Sequence, residues 1–515
     1  MRLSELLAAL PEELAVLETA SKDQTGDPTI RGIRYDSRQV APGDLFVAVR
    51  GANSDGHRFI GRAVASGAAA LLVEEMPSDS IRGEVPTFRV ADCRRALAPL
   101  GEQFFGRPAD DLTLIGVTGT NGKTSTTYLV ESILTHAGQR TGLVGTVEIR
   151  YAGEREVAVN TTPESLDLQR TLRAMRNAQV DAAVMEVSSH GLELGRVGGC
   201  RFRIAAFTNL SQDHLDFHGS MDAYLASKTR LFRDHLAPGA TAVINIDDPA
   251  AEKVIDTARC GGAEILRVGR GADCAAELRL VSSDIDLEGT RAVLEDDRGR
   301  IDLELPLLGD FNLENLLVAV GIARALGIDA ETIARGVADC PQVPGRMERV
   351  IGTGLSEPTV LVDYAHTPDA VDKLLRAVRP LCSGRLIAVF GCGGDRDRAK
   401  RPLMAKAVAD NADLAIATSD NPRKEDPAAI LVDVESGLTD LQKVDADALF
   451  ASTGRFATIS DRREAIRVAI SGAETNDTIV LAGKGHEDYQ IIGSEKFPFD
   501  DRLEARRVLI ERSSR

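Results

Sequence analysis

The sequence predicts an α/β protein of three domains. A smaller N-terminal α/β domain is followed by a central domain with a mostly parallel sheet of P-loop type, and then by a C-terminal Rossmann-like domain. Three observations predict this. The chain has 515 residues, more than one hydrophobic core accommodates. Apolar runs of strand length alternate with helical periodicity, the pattern of parallel sheets covered by helices. One apolar strand also passes through a glycine-rich loop directly into a helix, at Gly116-Val117-Thr118-Gly119-Thr120-Asn121-Gly122-Lys123-Thr124.

The elements follow in order. Residues 1–14 read as a capped amphipathic helix with acidic residues. Residues 44–49 form a strand, and 68–74 form another after a helix. The polar break at 106–110 closes a first domain, 1–108. The second domain, 109–343, opens with the strand 112–117 and the helix from Thr124. Buried strands are expected at 182–185, 204–207 and 242–245, small antiparallel strands near 277–304, and a strong helix at 311–326. Val343-Pro344-Gly345-Arg346 marks a second break. The third domain, 344–515, has strands at 359–362, 385–390, 414–418 and 478–482 between helices.

Composition narrows the partners. A net charge of −17 opposes binding to nucleic acid or anionic membranes, so an anionic substrate would need a local basic pocket. No run of 18 apolar residues is present, so no membrane span is expected. The N-terminus lacks the basic start and apolar centre of a secretory signal, and a cytoplasmic location is expected. The seven cysteines, at 93, 200, 260, 274, 340, 382 and 392, form no C-x-x-C pair and suit free thiols in a reducing compartment.

The glycine-rich loop carries the first chemistry. Its glycines let backbone N–H groups close around phosphate oxygens, Lys123 supplies a cation, and the Thr124 hydroxyl can ligate Mg²⁺. A nucleoside triphosphate is the expected ligand, although the strict spacing of such loops has glycine where this chain has Val117. Glu186, in Met185-Glu186-Val187-Ser188-Ser189-His190, ends a buried strand, where open α/β sheets place ligand groups. There its carboxylate can hold Mg²⁺ or cap the next helix. Asp213, His214, Asp216 and His218 cluster after another strand and can ligate a metal or place a water, or form a polar loop with helix caps. Lys228, judged alone, is a solvated helix lysine.

Five segments in this order, Gly119 to Thr124, Glu186 to His190, Asp213 to Asp216, Pro344 to Arg346 and Asp363 to Pro368, resemble the motif series of the Mur ligases. These are ATP-dependent amide ligases of peptidoglycan precursor synthesis. The resemblance spans nearly the whole chain, and that family's loop also has its first glycine at the place of Gly116. It implies that Gly119, Thr120, Asn121, Gly122, Lys123, Thr124 and Ser125, with Arg346 and Asp363, bind ATP. It implies Mg²⁺ at Thr124, Glu186, His214 and Lys228, the lysine being carbamylated by CO₂ into a carboxylate-like ligand. Lys123, Glu186, His214 and Lys228 are thereby the catalytic set, in a chain expected to act as a monomer.

Within the family, the chain is similar to ligases that add the third residue of the peptide. Their substrates are UDP-N-acetylmuramoyl-L-Ala-D-Glu and meso-diaminopimelate. Tyr35 and Ser37, in a segment with Asp36 and Arg38, correspond to uridine contacts. Asn160, Thr161, Thr162, Ser188 and Arg196 correspond to muramoyl-peptide contacts. Arg396, Asp420, Asn421, Pro422, Arg423, Gly483 and Glu487 correspond to the amino-acid site. The chain departs from the pattern at Ala52-Asn53-Ser54, often His-Gln-Ala, and at Leu194, often Gln.

The amino-acid site has a physical logic. meso-Diaminopimelate differs from lysine by one carboxylate, which a guanidinium at Arg423 can bind through two charge-assisted hydrogen bonds. Lysine would leave that arginine unpaired, and Glu487 could hold the ammonium at the same end. Three other readings remain: the same ligation with L-lysine, a nucleotide-binding regulator with no amino-acid site, and a folylpolyglutamate-type ligase. The last should lack the Asp36-Ser37-Arg38 domain.

Overall fold

The computed structural model describes residues 1–20, 27–51, 54–78, 85–271, 275–354 and 357–513. The chain divides into two compact units. One holds 1–279, 296–299 and 315–336, and the other holds 280–295, 300–314 and 337–515. Both are α/β, as the sequence predicts.

The first unit contains two sheets. The smaller has five strands in the order Glu18–Ala20, Thr87–Arg89, Ala70–Val73, Asp44–Val47, Gly32–Arg34. All neighbours are parallel except the first pair. Its two central strands are buried on both faces, which is why they read as unbroken apolar runs. The helix Cys93–Phe105, N-capped by Asp92, covers one face. The expected helix over 1–14 is instead a five-residue helix, Leu3–Leu7, and a separate 3₁₀ turn, Glu12–Leu14. Pro11 sits between them and has no N–H to continue the ladder.

The larger sheet positions the site. Its order includes Glu264–Gly269, Leu236–Asn245, Phe202–Phe207, Thr113–Thr118, Ala182–Glu186 and Thr141–Val144, all parallel. Glu148–Tyr151 and Glu154–Val157 then add antiparallel strands at one edge. At the other edge Leu278 and Arg279 pair with Val268 and Gly269. The strands expected near 277–304 are Leu278–Ile285, Thr290–Asp296 and Gly299–Leu305, which lie mostly in the second unit. Register sets what meets at the carboxyl edge. Glu186 lies opposite Val117, and Phe207 lies opposite Thr118, so the loops after three neighbouring strands leave the sheet together.

The second unit contains a seven-stranded sheet in the order Glu348–Val350, Thr359–Asp363, Thr478–Ala482, Leu386–Cys392, Leu414–Ser419, Arg455–Thr458, Gln442–Lys443. Only the first pair is antiparallel. Helices Pro368–Val378, Lys400–Asn411 and Pro427–Glu435 pack on one face, and Arg462–Gly472 and Asp501–Ser513 on the other. Asp363 pairs with Ala482 and Cys392 with Ser419, which again aligns four strand ends at one carboxyl edge. A hairpin of Tyr489–Ile492 and Glu495–Pro498 stands beside that edge.

Among the described residues no helix is long and apolar enough to cross a membrane. Cys93, Cys200, Cys260, Cys340, Cys382 and Cys392 are free thiols, while Cys274 lies outside the described residues.

Candidate active site

The loop from Gly119 to Thr124 leaves the central strand of the larger sheet and enters the helix Lys123–His136. Gly119 and Gly122 have φ of +149° and +84°, a region costly for side chains. A Cβ at Gly119 would stand 1.9 Å from Thr208 Oγ1, and one at Gly122 would stand 2.0 Å from Asn315 Oδ1. Gly116 has a different reason. It lies within the strand, where a Cβ would meet the Phe202 ring at 2.9 Å, so it serves packing rather than phosphate.

The loop is held from outside. The Thr120 amide donates to Asn209 O at 2.8 Å, and the Asn121 amide to Asn209 Oδ1 at 2.9 Å. Thr208 Oγ1 donates to Asn121 O at 2.6 Å. Lys123 Nζ arches back to donate to Gly119 O and Thr120 O at 2.9 and 2.8 Å, which puts its charge over the loop. Thr124 and Ser125 lie at the helix N-terminus and are 4% exposed. This end of a helix favours anions.

Glu186 is 1% exposed, and its carboxylate accepts from the Thr146 amide at 2.8 Å and from Thr146 Oγ1 at 3.0 Å. It does not cap the following helix, since Ser188 does so by accepting from the Gly191 amide at 3.0 Å. A buried carboxylate with lone pairs left over at the strand end suits a divalent cation.

Lys228 corrects its sequence reading. It is 1% exposed, not solvated, because its position on the helix Met221–Asp234 faces the loop. Its Nζ donates to Gly119 O at 2.7 Å and lies 4.2 Å from the Tyr224 ring centroid. Burial, reinforced by the Lys123 ammonium and opposed by Asp213, holds its amine well below the ordinary lysine range. A neutral amine is the form that attacks CO₂. His214 lies 4.7 Å from the His190 ring, which in turn lies 5.5 Å from the His218 ring. Desolvation lowers the pKa of all three. Neutral rings keep a lone pair for a cation. Among the described residues no three His, Cys, Asp or Glu side chains form a ready metal cluster.

The depressed lysine has a consequence for stability. Its ordinary pKa is 10.5, so below that the unfolded chain binds a proton that the folded chain does not. Stability is therefore lost as pH falls from 10.5. In CO₂-free buffer without nucleotide, Lys228→Met is expected to melt above the parent near neutral pH, with the gap closing as pH approaches 10.5. Equal melting curves at all pH values would refute the neutral amine.

The residues matched to muramoyl-peptide contacts converge beside Glu186. Thr162 Oγ1 donates to Glu186 O at 3.0 Å, accepts from the Ser188 amide at 2.9 Å, and lies 3.1 Å from Ser188 Oγ. Thr161 Oγ1 lies 3.0 Å from Thr146 Oγ1. Arg196 donates to Thr162 O at 3.0 Å and to Glu164 at 2.8 Å, and Glu164 also accepts from Arg94 at 2.6 Å. Asn160 is exposed. Farther out, the Tyr35 hydroxyl donates to Asp167, and Ser37 is 7% exposed. Ala52 and Asn53 lie outside the described residues, and Leu194 ends the short helix Ser189–Glu193.

The second unit gathers the amino-acid residues at its own carboxyl edge. Asp420 and Asn421 follow the strand Leu414–Ser419. Arg423 holds φ +51° because its backbone is bonded on both sides to the hairpin: its amide donates to Ile491 O at 3.0 Å and its carbonyl accepts from Gly493 at 2.6 Å. Its Nη1 donates to Gly394 O at 2.8 Å. Asn421 Nδ2 donates to Glu487 at 2.9 Å. Glu487 also has an internal cation, Lys484, at 3.2 Å. Pro422 is buried, Gly483 donates its amide to Asp363 O at 3.0 Å, and Arg396 is exposed. Asp363 accepts from the Met347 and Ala365 amides at 2.8 Å each. Burial raises the Asp363 pKa against the pull of Arg346, whose guanidinium lies 4.9 Å from the Tyr364 ring centroid.

Several participants had no separate sequence signal. Thr146, Asn209 and Tyr224 are polar residues near a strand end or on a helix, without motif spacing. Lys484 lies between Gly483 and Glu487 in the sequence, but its contacts depend on the fold.

Comparisons with known proteins agree with this geometry. Residues 29–104 match the model described as Mur ligase family, catalytic domain, residues 117–323 the Mur ligase middle domain, and 345–485 the Mur ligase, glutamate ligase domain. The chain is 46% identical to the UDP-N-acetylmuramoyl-L-alanyl-D-glutamate–2,6-diaminopimelate ligase of Gloeobacter violaceus, over 100% of this chain and 99% of that one. It is 45% identical to the ligase of the same name from Synechococcus elongatus, over 100% of both. A solved structure of a ligase with that name matches with a TM-score of 0.66 at 35% identity, covering 95% of this chain and 96% of that chain. The Mycobacterium tuberculosis folylpolyglutamate synthase complexed with ADP shares the fold at a TM-score of 0.60 and 22% identity, over 76% of this chain and 91% of that one.

Proposed function

The chain belongs to the Mur ligase family, and from that premise we propose that it joins meso-2,6-diaminopimelate to UDP-N-acetylmuramoyl-L-Ala-D-Glu at the expense of ATP. It is an ATP-dependent amide ligase of peptidoglycan precursor synthesis, and this reading places it in the cytoplasm, where ATP is available. The observation that carries the choice of amino acid is the clamped group of Asn421, Arg423 and Glu487 at one strand edge. We assign residues 1–108 to the UDP end, 109–343 to ATP, and 344–515 to the amino acid, with Arg346 and Asp363 as nucleotide contacts.

The reaction has two steps. An oxygen of the D-glutamate γ-carboxylate attacks the ATP γ-phosphorus, the bond to ADP breaks, and an acyl phosphate forms. The neutral amine of diaminopimelate then attacks the acyl carbon, loses its proton, and phosphate leaves. Lys123 and the helix N-terminus at Thr124 stabilise charge on the transferring phosphoryl group. Thr124, Glu186, His214 and Lys228, the last once carbamylated, would hold Mg²⁺, which would supply charge neutralisation at the phosphates. Thr162, Ser188 and Arg196 orient the muramoyl peptide. Tyr35 and Ser37 contact the uridine end. Asp420, Pro422, Gly483 and Arg396 complete the amino-acid site.

The test is ADP release with the UDP-dipeptide present and the amino acid varied. Release is expected with meso-diaminopimelate and much less with L-lysine. Equal rates would refute the selector, and release that needs neither the dipeptide nor an amino acid would identify a nucleotide-binding regulator instead.

A further inference from the structure

Lys484 is a buried cation that the reaction above does not use. It is 0% exposed, although its side chain carries an ammonium, and it follows the strand Thr478–Ala482 at the carboxyl edge. Its Nζ donates to Glu487 Oε2 at 3.2 Å and Asn421 Oδ1 at 3.4 Å, and lies 3.6 Å from the Asp420 carboxylate as an ion pair. The Tyr489 ring centroid lies 5.6 Å away. Asn421 and Glu487 are thereby locked to one another as well as to the lysine. Asn421 Oδ1 accepts from Lys484 and from the Ile491 amide at 2.9 Å, which leaves Nδ2 directed at Glu487. The donors of Lys484 and the Ile491 amide thereby fix the orientation of this amide.

Charge counting gives the ammonium a second task. Asp420 is 8% exposed, and Glu487 has 17% of its side chain exposed, so two carboxylates stand side by side in a desolvated pocket. Like charges this close call for a cation beside them, and Lys484 supplies it; the Arg462 guanidinium also acts on both carboxylates but is itself paired with Asp501 at 2.6 Å. With Lys484 present, the three side chains total one negative charge, which matches one incoming ammonium. Without it, the two carboxylates lose the cation that lies between them, and Asn421 loses one of the donors that fix its amide.

We propose that Lys484 is a positioning residue for amino-acid selection, holding Glu487 and Asn421 in place so that the site receives one ammonium of the diamino acid. The inference rests on the ligase reading given above. It concerns binding of the amino acid alone, since its partners are all residues of that site.

The test uses the full-length enzyme and steady-state ligation with each of the three substrates varied in turn. Lys484→Met keeps chain length and removes charge. It is expected to raise KM for meso-diaminopimelate by about tenfold or more, the scale of one charge-assisted hydrogen bond. KM for ATP and for the UDP-dipeptide should stay within about threefold, below the effect of one lost hydrogen bond. The readout that separates positioning from packing is the pair with Glu487→Gln. If Lys484 acts through Glu487, the double variant binds diaminopimelate no worse than Glu487→Gln alone, because the group it positions is already neutral. If Lys484→Met does not fold, the double variant removes the uncompensated carboxylate and serves in its place against Glu487→Gln. Additive losses, or KM values rising together for all three substrates, would overturn the proposal. Failure of the parent enzyme to require diaminopimelate would instead overturn the ligase reading, before any variant is compared.

Discussion

Lys123→Ala is expected to lower kcat for ligation by about 10²–10³-fold, the cost of removing one preorganised charge from a phosphoryl-transfer site. The loss should appear in kcat rather than in folding. The loop is held by Asn209 and Thr208, which bond the amides of Thr120 and Asn121 and the carbonyl of Asn121, and none of these bonds involves the lysine. What disappears is the ammonium that Gly119 O and Thr120 O hold over the loop at 2.9 and 2.8 Å. Loss of that charge also relieves the depression of the Lys228 pKa, to which Lys123 is the second contributor after burial. The check is single-turnover formation of ADP with all substrates saturating, alongside the melting temperature. Full ligation activity in the alanine protein would end the assignment of this loop to phosphoryl transfer.

The second large effect is expected at Arg423. Arg423→Ala should lower kcat/KM for meso-diaminopimelate by about 10²-fold or more, on the basis of roughly 1.5–3 kcal/mol for each hydrogen bond to a charged group. The value for L-lysine, which lacks the second carboxylate, should change little or improve, so the preference collapses. Arg423→Lys should not restore it, because an ammonium lacks the planar fork that engages a carboxylate through two bonds. The backbone strain at φ +51° is common to arginine and alanine, so the hairpin bonds at Ile491 and Gly493 should survive the substitution. Competition between the two amino acids in one assay reads the ratio directly. An unchanged ratio would show that selection lies elsewhere.

Much of the site was legible because its signals are local. Gly119, Gly122, Lys123 and Thr124 stand close together in one segment, so their spacing is readable without the fold, although Asn209 and Thr208 hold the loop from outside. The strands at 414–418 and 478–482 were legible because strands buried on both faces are apolar without interruption. Glu186 was ambiguous between metal ligand and helix cap. The structure removes the cap reading, since Ser188 takes that role and Glu186 faces Thr146. Lys228 was misread because helical spacing does not reveal which face is covered by a loop more than a hundred positions earlier in the chain. The 1–14 helix was overextended because its apolar spacing outweighed Pro11 in the reading, while in the fold the missing N–H decides.

By itself, the sequence determined the α/β class, many of the buried strands, the candidate phosphate loop, and the motif series that marks the family. These depend on periodicity and on residues a few positions apart, where the chain's own geometry limits the alternatives. Only the tertiary structure decided which carboxylates and cations share a desolvated space. It buried Lys228 against Gly119 O, tied Thr162 to Ser188, and enclosed Lys484 between Asp420 and Glu487. Sheet register brings strand ends together across long stretches of chain, and the energy of a charge depends on what surrounds it after that meeting.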